Sequence, residues 1–222
     1  MKKTLVSSSS KISLIIPAYF ADQAIYEMTL ECLVSLQDRP DEVILVDDGS
    51  PQVSKIPQGL ADIVIRLPKN KGFAGAVNAG LKVASGDILM QANNDILFTP
   101  GWLNAIVKPL QLEYDISSIR TTDSDGWLTE DKITEGDKFG SIWAITREVY
   151  QTLGGFDERF GKGFFEDLDY RRRALDAGFR VAKNHAGLVE HRGHATFAII
   201  DPSDQLYERN KDVYRAKHGF IE

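Results

Sequence analysis

The side chains in this sequence best suited to chemistry are carboxylates and amides gathered in short clusters, each closing an apolar run. "DILMQANNDILF" sets Asn93, Asn94 and Asp95 between two strand-forming stretches, and "VILVDDGS" ends in Asp47 and Asp48. Asp-Gly-Ser is a common turn composition, but two adjacent carboxylates repel and need a donor or a cation to satisfy them. "GFFEDLDY" places Glu166 and Asp167 behind two aromatics at the start of a charged amphipathic run. Acidic residues suit a first helical turn regardless of chemistry. Here the helix terminus lowers the carboxyl pKa while apolar surroundings raise it, which leaves a group ionised near neutral pH and still able to take a proton, a general base. Asp169, two positions on, points away along the helix. "VEHRGHATF" adds His191 and His194. With a single carboxylate in Asn93-Asn94-Asp95, a divalent cation would want such a further donor.

For these clusters to act together the chain must bring them to one edge. "KISLIIP" reads as a strand, followed by a helix over Asp22 to Leu36 with Asp22 as its cap. "DEVILVDDGS", "DIVIRLP" and "DILMQA" are further strands, and "GFAGAVNAGLKVASG" is a helix ended by Gly86. After Pro100 helical spacing resumes, with Pro109 as a kink or an end. This alternation predicts an α/β fold with a Rossmann-like, mostly parallel sheet flanked by helices. In such a sheet Pro17-Ala18-Tyr19, Asp47-Asp48 and Asn93-Asn94-Asp95 all follow strands and share the carboxyl edge, where open α/β sheets bind ligands. "PKNKGFAGAVNAG" has neither the dinucleotide fingerprint nor a Walker sequence. Its small residues, Gly72 and Gly80 among them, suit close packing on the sheet, and Asn78 is the polar position expected to reach into the cleft. Thr121 to Phe139 reads as a mobile loop or a short hairpin, and "FGSIWAITR" returns to strand. "EDLDYRRRALDAG" is a helix ending at Gly178, "FRVAKN" and "AGLVEHRGHATF" are two short extended pieces, and a polar helix closes the chain.

At 222 residues and 43% hydrophobic, one substantial core is expected. A net charge of −6 offers phosphate backbones and anionic lipid no general attraction, so nucleic acid is not the default partner. The single cysteine, Cys32, excludes an intrachain disulfide, reads as a buried small hydrophobe, and fits a reducing compartment. "MKKTLVSSSS" lacks a sustained apolar region, and no stretch reaches membrane-spanning length. The expectation is a cytoplasmic protein with a flexible tail over 1–10, one domain over 11–200 and a C-terminal helical extension over 201–222.

Taken in order, "SLIIPAYF", "VILVDDGS", "NKGFAGAVNAG", "ANNDILFTPGWL", "GGFDERFGKGFFEDLDYRRRALDAG" and "VEHRGHATF" resemble family 2 glycosyltransferases of the GT-A fold, across roughly Lys11 to Phe197. The rhamnosyltransferase-like branch is nearest, through its similar Asn-x-Asp segment and "FFEDxDYxxR" run. The resemblance implies an inverting transfer of sugar from a UDP-, dTDP- or GDP-linked donor to an acceptor hydroxyl on a glycan, lipid-linked saccharide, protein or small molecule. It implies that Pro17, Ala18, Tyr19, Asp47 and Asp48 hold base and ribose, with Gly72 and Asn78 counted among the donor-binding residues. Asn93 and Asn94 would meet the ribose and diphosphate, Asp95 and His191 would hold Mn²⁺ or Mg²⁺, and the Glu166-Asp167 pair would supply the catalytic base; within the pair we assign Asp167 as the base and Glu166 to orienting the acceptor. The family's metal motif is commonly Asp-x-Asp; Asn93 in its first position removes one negative charge beside the cation. Two other readings are a nucleotidyltransferase, whose basic, glycine-rich first loop "PAYFADQ" does not match, and a non-catalytic sugar-nucleotide or carbohydrate-binding protein.

Overall fold

Alternation along the first strands decides how the layers assemble. In β1 (Ile12–Ala18), Leu14, Ile16 and Ala18 face one core while Ile15 faces the other, and in β2 (Glu42–Asp47) Val43 and Leu45 oppose Ile44 and Val46 in the same way. Strands that are apolar on both faces need a helical layer on each. The computed structural model describes residues 6–51, 55–136, 139–193 and 205–219. In it β1 and β2 pair in parallel, with β3 (Ile63–Arg66) beyond β2 and β4 (Ile88–Ala92) on the other side of β1. One layer holds α1 (Gln23–Val34), capped by Asp22 through a 2.9 Å bond from Ile25 N, and α3 (Trp102–Gln111). The opposite layer holds α2 (Gly72–Val83), α5 (Arg147–Leu153) and α6 (Glu166–Asp176).

Gly80 explains how closely α2 sits on the sheet, because a Cβ there would lie 2.4 Å from Ile15 Cγ2. The helix stops at Val83, three residues before the expected Gly86. The Glu42 carboxylate takes Ser85 N at 2.9 Å and Ser85 Oγ at 2.8 Å and draws the chain out of helical geometry. Gly86 instead allows a close approach to β1, where a Cβ would meet Ser13 N at 2.6 Å. Pro109 lies inside the last turn of α3 and cannot donate to Ala105 O, but that carbonyl accepts from Asn184 Nδ2 at 2.8 Å instead, and the helix runs on to Gln111.

Beyond β4 the sheet becomes mixed. Its order is β3-β2-β1-β4-β8-β6-β9-β5, formed with β5 (Ile96–Phe98), β6 (Ile116–Thr121), β8 (Ile142–Thr146) and β9 (Val181–His191). β8 runs antiparallel to both β4 and β6, β6 is parallel to β9, and β5 is antiparallel to β9. β6 has no apolar alternation because Ser117, Ser118, Arg120 and Thr121 interrupt it, yet all its residues are buried. The stretch read as a loop or hairpin contains α4 (Thr122–Asp125) and β7 (Ile133–Glu135), and β7 pairs with β9, distant in sequence, instead of with a neighbour. The two extended pieces expected near the C-terminus are one strand, β9, whose register shifts between Asn184 and Leu188. Gly187 lies in that irregularity, close enough to α3 that a Cβ would meet the Ala105 Cβ at 2.5 Å. The chain's last described helix is α7 (Gln205–His218).

Candidate active site

The carboxyl ends of β1, β2 and β4 open onto a cleft of ≈ 640 Å³. Pro17, Ala18 and Tyr19 line it from β1, Asp48 and Gly72 from the β2 and α2 side, and Asn93, Asn94 and Asp95 from the end of β4. The second half of the chain closes it with Asp123, Ser141, Glu166, Asp167 and His191. The antiparallel half of the sheet makes this possible: β9 runs so that its last residue, His191, pairs with Ile96 immediately after Asp95.

Asp48 is buried at the N-terminus of α2, where its two oxygens accept from Lys71 N at 2.7 Å and Gly72 N at 2.8 Å. Burial pushes its carboxyl up to about 6, against those two donors and with the help of neighbouring Asp47. Gly72 is required here by its φ of +77° and by contact, since a Cβ would stand 2.2 Å from Gly161 O. Asp47 does not line the cleft. Its carboxylate takes Ser50 N at 2.9 Å, Ser50 Oγ at 2.5 Å and Arg66 Nη1 at 2.6 Å, which makes it the organiser of the turn after β2. Asn78 does not reach the cleft either. Its amide accepts from Phe156 N at 2.8 Å and donates to Phe156 O and Glu158 Oε1, each at 3.0 Å, because the loop after α5 lies over the helix at that point.

Asn94 donates to Thr29 Oγ1 at 2.8 Å and so ties the β4 terminus to α1, while Asn93 Oδ1 accepts from Gln91 at 2.9 Å. Buried Asp95 Oδ1 lies 3.1 Å from His191 Nε2 and takes no other hydrogen bond from the described residues. On its far side His191 Nδ1 is 2.8 Å from Asp123 Oδ2 and 3.0 Å from Ser141 Oγ. Burial works to lower the His191 pKa, but Asp95 and Asp123 outweigh it and hold the imidazole above its ordinary value. Among the described residues no three His, Cys, Asp or Glu side chains converge to cage a metal by themselves. Asp95 Oδ1 and His191 Nε2 are donors that would suit a divalent cation, and Asp123 on Nδ1 stands where a carboxylate would orient a metal-bound histidine. Asp123 was not foreseen: it sits in an Asp-, Thr- and Gly-rich stretch without periodicity, and only the pairing of β6 with β9 brings it to His191. His194 lies outside the described residues.

Glu166 and Asp167 open α6, and both line the cleft. The two residues before them, Phe164 at φ 67° and Phe165 at φ 69°, are held in left-handed backbone that a bulky side chain rarely adopts. Glu166 is buried, and its Oε2 has no hydrogen-bond partner among the described residues. Burial, reinforced by the Asp167 charge, pushes the Glu166 carboxyl well above the usual carboxylate range. Asp167 is half-buried on the cleft wall, with Oδ1 accepting from Leu168 N at 2.8 Å. Asp169 was expected to point away along the helix. It is instead fully buried and pairs with Arg173 at 2.9 Å, Lys217 at 2.6 Å and His218 at 2.8 Å, because α7 packs across the outer side of α6. Lys162, Phe164 and Tyr207 also line the wall, Tyr207 from α7.

The model of the family described as "Glycosyl transferase family 2" matches residues 13–151, more than half of the chain. An uncharacterized glycosyltransferase, YwdF of Bacillus subtilis, is 36% identical over 151 residues, covering 67% of this chain and 52% of the relative. An undecaprenyl-phosphate 4-deoxy-4-formamido-L-arabinose transferase of Serratia proteamaculans is 30% identical over 134 residues, covering 55% of this chain and 41% of that one. The chain thus spans about half, or less, of the length of these relatives. Among solved structures, a mannosyltransferase of Pyrobaculum calidifontis in complex with GDP-Man and Mn2+ superposes with a TM-score of 0.62 at 23% identity, over 86% of this chain and 60% of that one, and shares the fold. No described helix is long and apolar enough to cross a membrane. With the family model spanning the strands β1, β2 and β4 whose carboxyl ends open onto the cleft, the chain belongs to the family 2 glycosyltransferases.

Proposed function

We propose that this protein is an inverting glycosyltransferase that moves a hexosyl or deoxyhexosyl group from a nucleotide-diphosphate sugar to an acceptor hydroxyl. The observation that carries the reading is that one cleft joins Asp48 and the Asn93-Asn94-Asp95 turn to the carboxyl pair Glu166-Asp167. Pro17, Ala18, Tyr19 and Asp48 would receive base and ribose. Asn93 and Asn94 would sit toward the ribose and diphosphate, with Asp95 and His191 holding Mn²⁺ or Mg²⁺. When bound, that cation neutralises charge developing on the leaving diphosphate. The Asp167 carboxylate takes the acceptor hydroxyl's proton as the oxygen bonds to the anomeric carbon and the carbon–oxygen bond to the diphosphate breaks, releasing nucleoside diphosphate and leaving the sugar on the acceptor oxygen with inverted configuration. Glu166, kept protonated by its burial, donates a hydrogen bond that orients the acceptor. The Asn93-x-Asp95 segment and the "FFEDLDYRRR" run support the rhamnosyltransferase-like branch, and the single reduced cysteine supports a cytoplasmic setting. Release of nucleotide from a panel of UDP-, GDP- and dTDP-sugars, with and without Mn²⁺, tests the reading. Binding without turnover would favour a sugar-nucleotide binding protein, and exchange of pyrophosphate a nucleotidyltransferase.

Glu166 gives the reaction a specific pH dependence. Its folded pKa is raised above the unfolded one, so the protonated form it contributes is complete below the ordinary carboxylate range and is lost as pH rises through the raised value. Transfer should decline along that alkaline limb. Glu166→Gln, which mimics the protonated acid, should retain most activity, flatten the limb and raise thermal stability over wild type in alkali but not in acid. A limb that persists unchanged in Glu166→Gln would assign it to another group.

The cation site makes a second demand. Asp95→Ala should abolish the gain in nucleotide affinity conferred by Mn²⁺, measured by calorimetry, and chelator should do the same to wild type. Asp123→Asn leaves both direct ligands in place and should weaken the Mn²⁺ effect roughly 10- to 100-fold, the scale seen when a carboxylate behind a metal-bound histidine is lost. Wild-type nucleotide affinity and turnover in chelator would remove the metal from the mechanism.

A further inference from the structure

The segment from Phe160 to Phe165 is the least relaxed backbone bordering the cleft. Gly161 at φ 64°, Gly163 at φ 145°, Phe164 at φ 67° and Phe165 at φ 69° follow one another with little interruption, and the next two residues are Glu166 and Asp167. Consecutive left-handed residues, two of them bulky, persist only where the surroundings over-determine them. The surroundings here are α7. Its Asn210 is fully buried, and its Nδ2 donates to Phe160 O at 2.6 Å, Gly163 O at 2.5 Å and Phe164 O at 3.3 Å. Arg209 Nη1 donates to Asn210 Oδ1 at 2.8 Å, which fixes the amide's orientation, since the flipped amide would aim its oxygen at three carbonyls. Around this amide Phe160, Phe165 and Tyr214 form a small core of their own, and Tyr207 packs on Phe164 and Phe165. The same segment abuts the donor side, because Gly161 and Lys162 lie against Gly72 at the start of α2.

We propose that Asn210 is a positioning residue for the transfer reaction: by gathering three carbonyls of the Phe160–Phe165 segment it sets the place of the Glu166-Asp167 pair relative to the donor. The inference rests on the reading of Asp167 as base. α7 is then a working wall of the site and not an appended extension. Asn210 touches no substrate, so its loss acts on the geometry of the carboxyl pair and leaves the nucleotide contacts of Pro17, Tyr19 and Asp48 in place. A displacement of the base by an ångström or less is enough to slow the chemical step by about 10- to 100-fold.

The test compares Asn210→Ala and Asn210→Ser with wild type in the full chain. It measures release of nucleoside diphosphate from UDP-glucose, GDP-mannose and dTDP-rhamnose, affinity for UDP, GDP and dTDP by calorimetry, and amide hydrogen exchange over 161–165. The expected result is faster exchange in that segment, unchanged nucleotide affinity, and kcat lower by roughly 10- to 100-fold in Asn210→Ala, with Asn210→Ser, which keeps one donor, in between. Wild-type kcat in Asn210→Ala overturns the proposal, as does a parallel fall of affinity and kcat, or failure of both variants to fold, each of which makes Asn210 a stability residue only. Asp167→Asn is run beside them: if it turns over normally the assignment of the base fails while the Asn210 measurements stand. Absence of turnover by wild type with all three donors defeats the transferase reading, and unchanged hydrogen exchange would then also dispose of the segment-holding role.

Discussion

Asp167→Asn should bind nucleotide-sugar donors with near wild-type affinity and transfer at least about a hundredfold more slowly, since a placed general base contributes roughly 10²- to 10⁴-fold. A sugar hydroxyl is a poor nucleophile, and the substitution keeps the size of the side chain while removing the proton acceptor. The Leu168 N–H that Asp167 Oδ1 now accepts still finds an amide oxygen, so the first turn of α6 should survive. Loss confined to kcat, with KM for the donor unchanged, is the pattern of an interaction made in the transition state. Calorimetry with the nucleotide and a steady-state assay separate the two quantities. An Asp167→Asn enzyme that retains most of its kcat would move the base to another side chain, with Glu166 and Asp123 the remaining described cleft carboxylates outside the proposed direct metal and nucleotide contacts.

The second large effect falls on a residue with no place in the chemistry. Asp169→Asn should destabilise the fold by about 3 kcal/mol, the scale of removing one partner from a buried ion pair. In a chain of this length that lowers the melting temperature by roughly 6 to 12 °C. The carboxylate is fully buried, while Arg173 and Lys217 remain about one-fifth exposed, so water relieves part but not all of their lost pairing. Arg173 is also committed to Leu153 O at 3.0 Å and Gly155 O at 2.9 Å, and Lys217 to Asp157 at 2.8 Å; the loss at Asp169 therefore loosens α5, α6 and α7 together. Thermal denaturation decides the matter. A melting temperature within a degree of wild type would show that these cations do not depend on Asp169. An inactive Asp169→Asn enzyme is thus no evidence for a catalytic role unless its fold is intact, whereas Asp167→Asn should be inactive and folded.

Much of the cleft edge formed by the parallel strands was legible in the sequence because it depends on local rules. Strands apolar on both faces, a helix capped by Asp22, and polar residues placed just after strands are all expressed within a dozen residues, and parallel strands put their ends on one edge without further information. That is why the sequence alone places Asp48 and the Asn93-Asn94-Asp95 turn on the edge that lines the cleft. The rest hangs on partners far apart in the chain. β6 carries four polar residues whose burial is compensated by neighbours on β8 and β9, so its pattern does not read as a strand. Asp47 and Asn78 looked like cleft residues from their type and setting, but whether a polar side chain faces a cleft or staples a loop depends on what the fold lays over it: Arg66 and Ser50 in one case, the loop at Phe156 in the other. Asp123 reaches His191 only through the pairing of β6 with β9, and Asp169 becomes a buried hub only once α7 has packed. Local sequence determined which residues close each strand and helix; tertiary packing alone decided which of them face the cleft, because burial and hydrogen-bond partners are properties of surfaces that meet only in the folded chain.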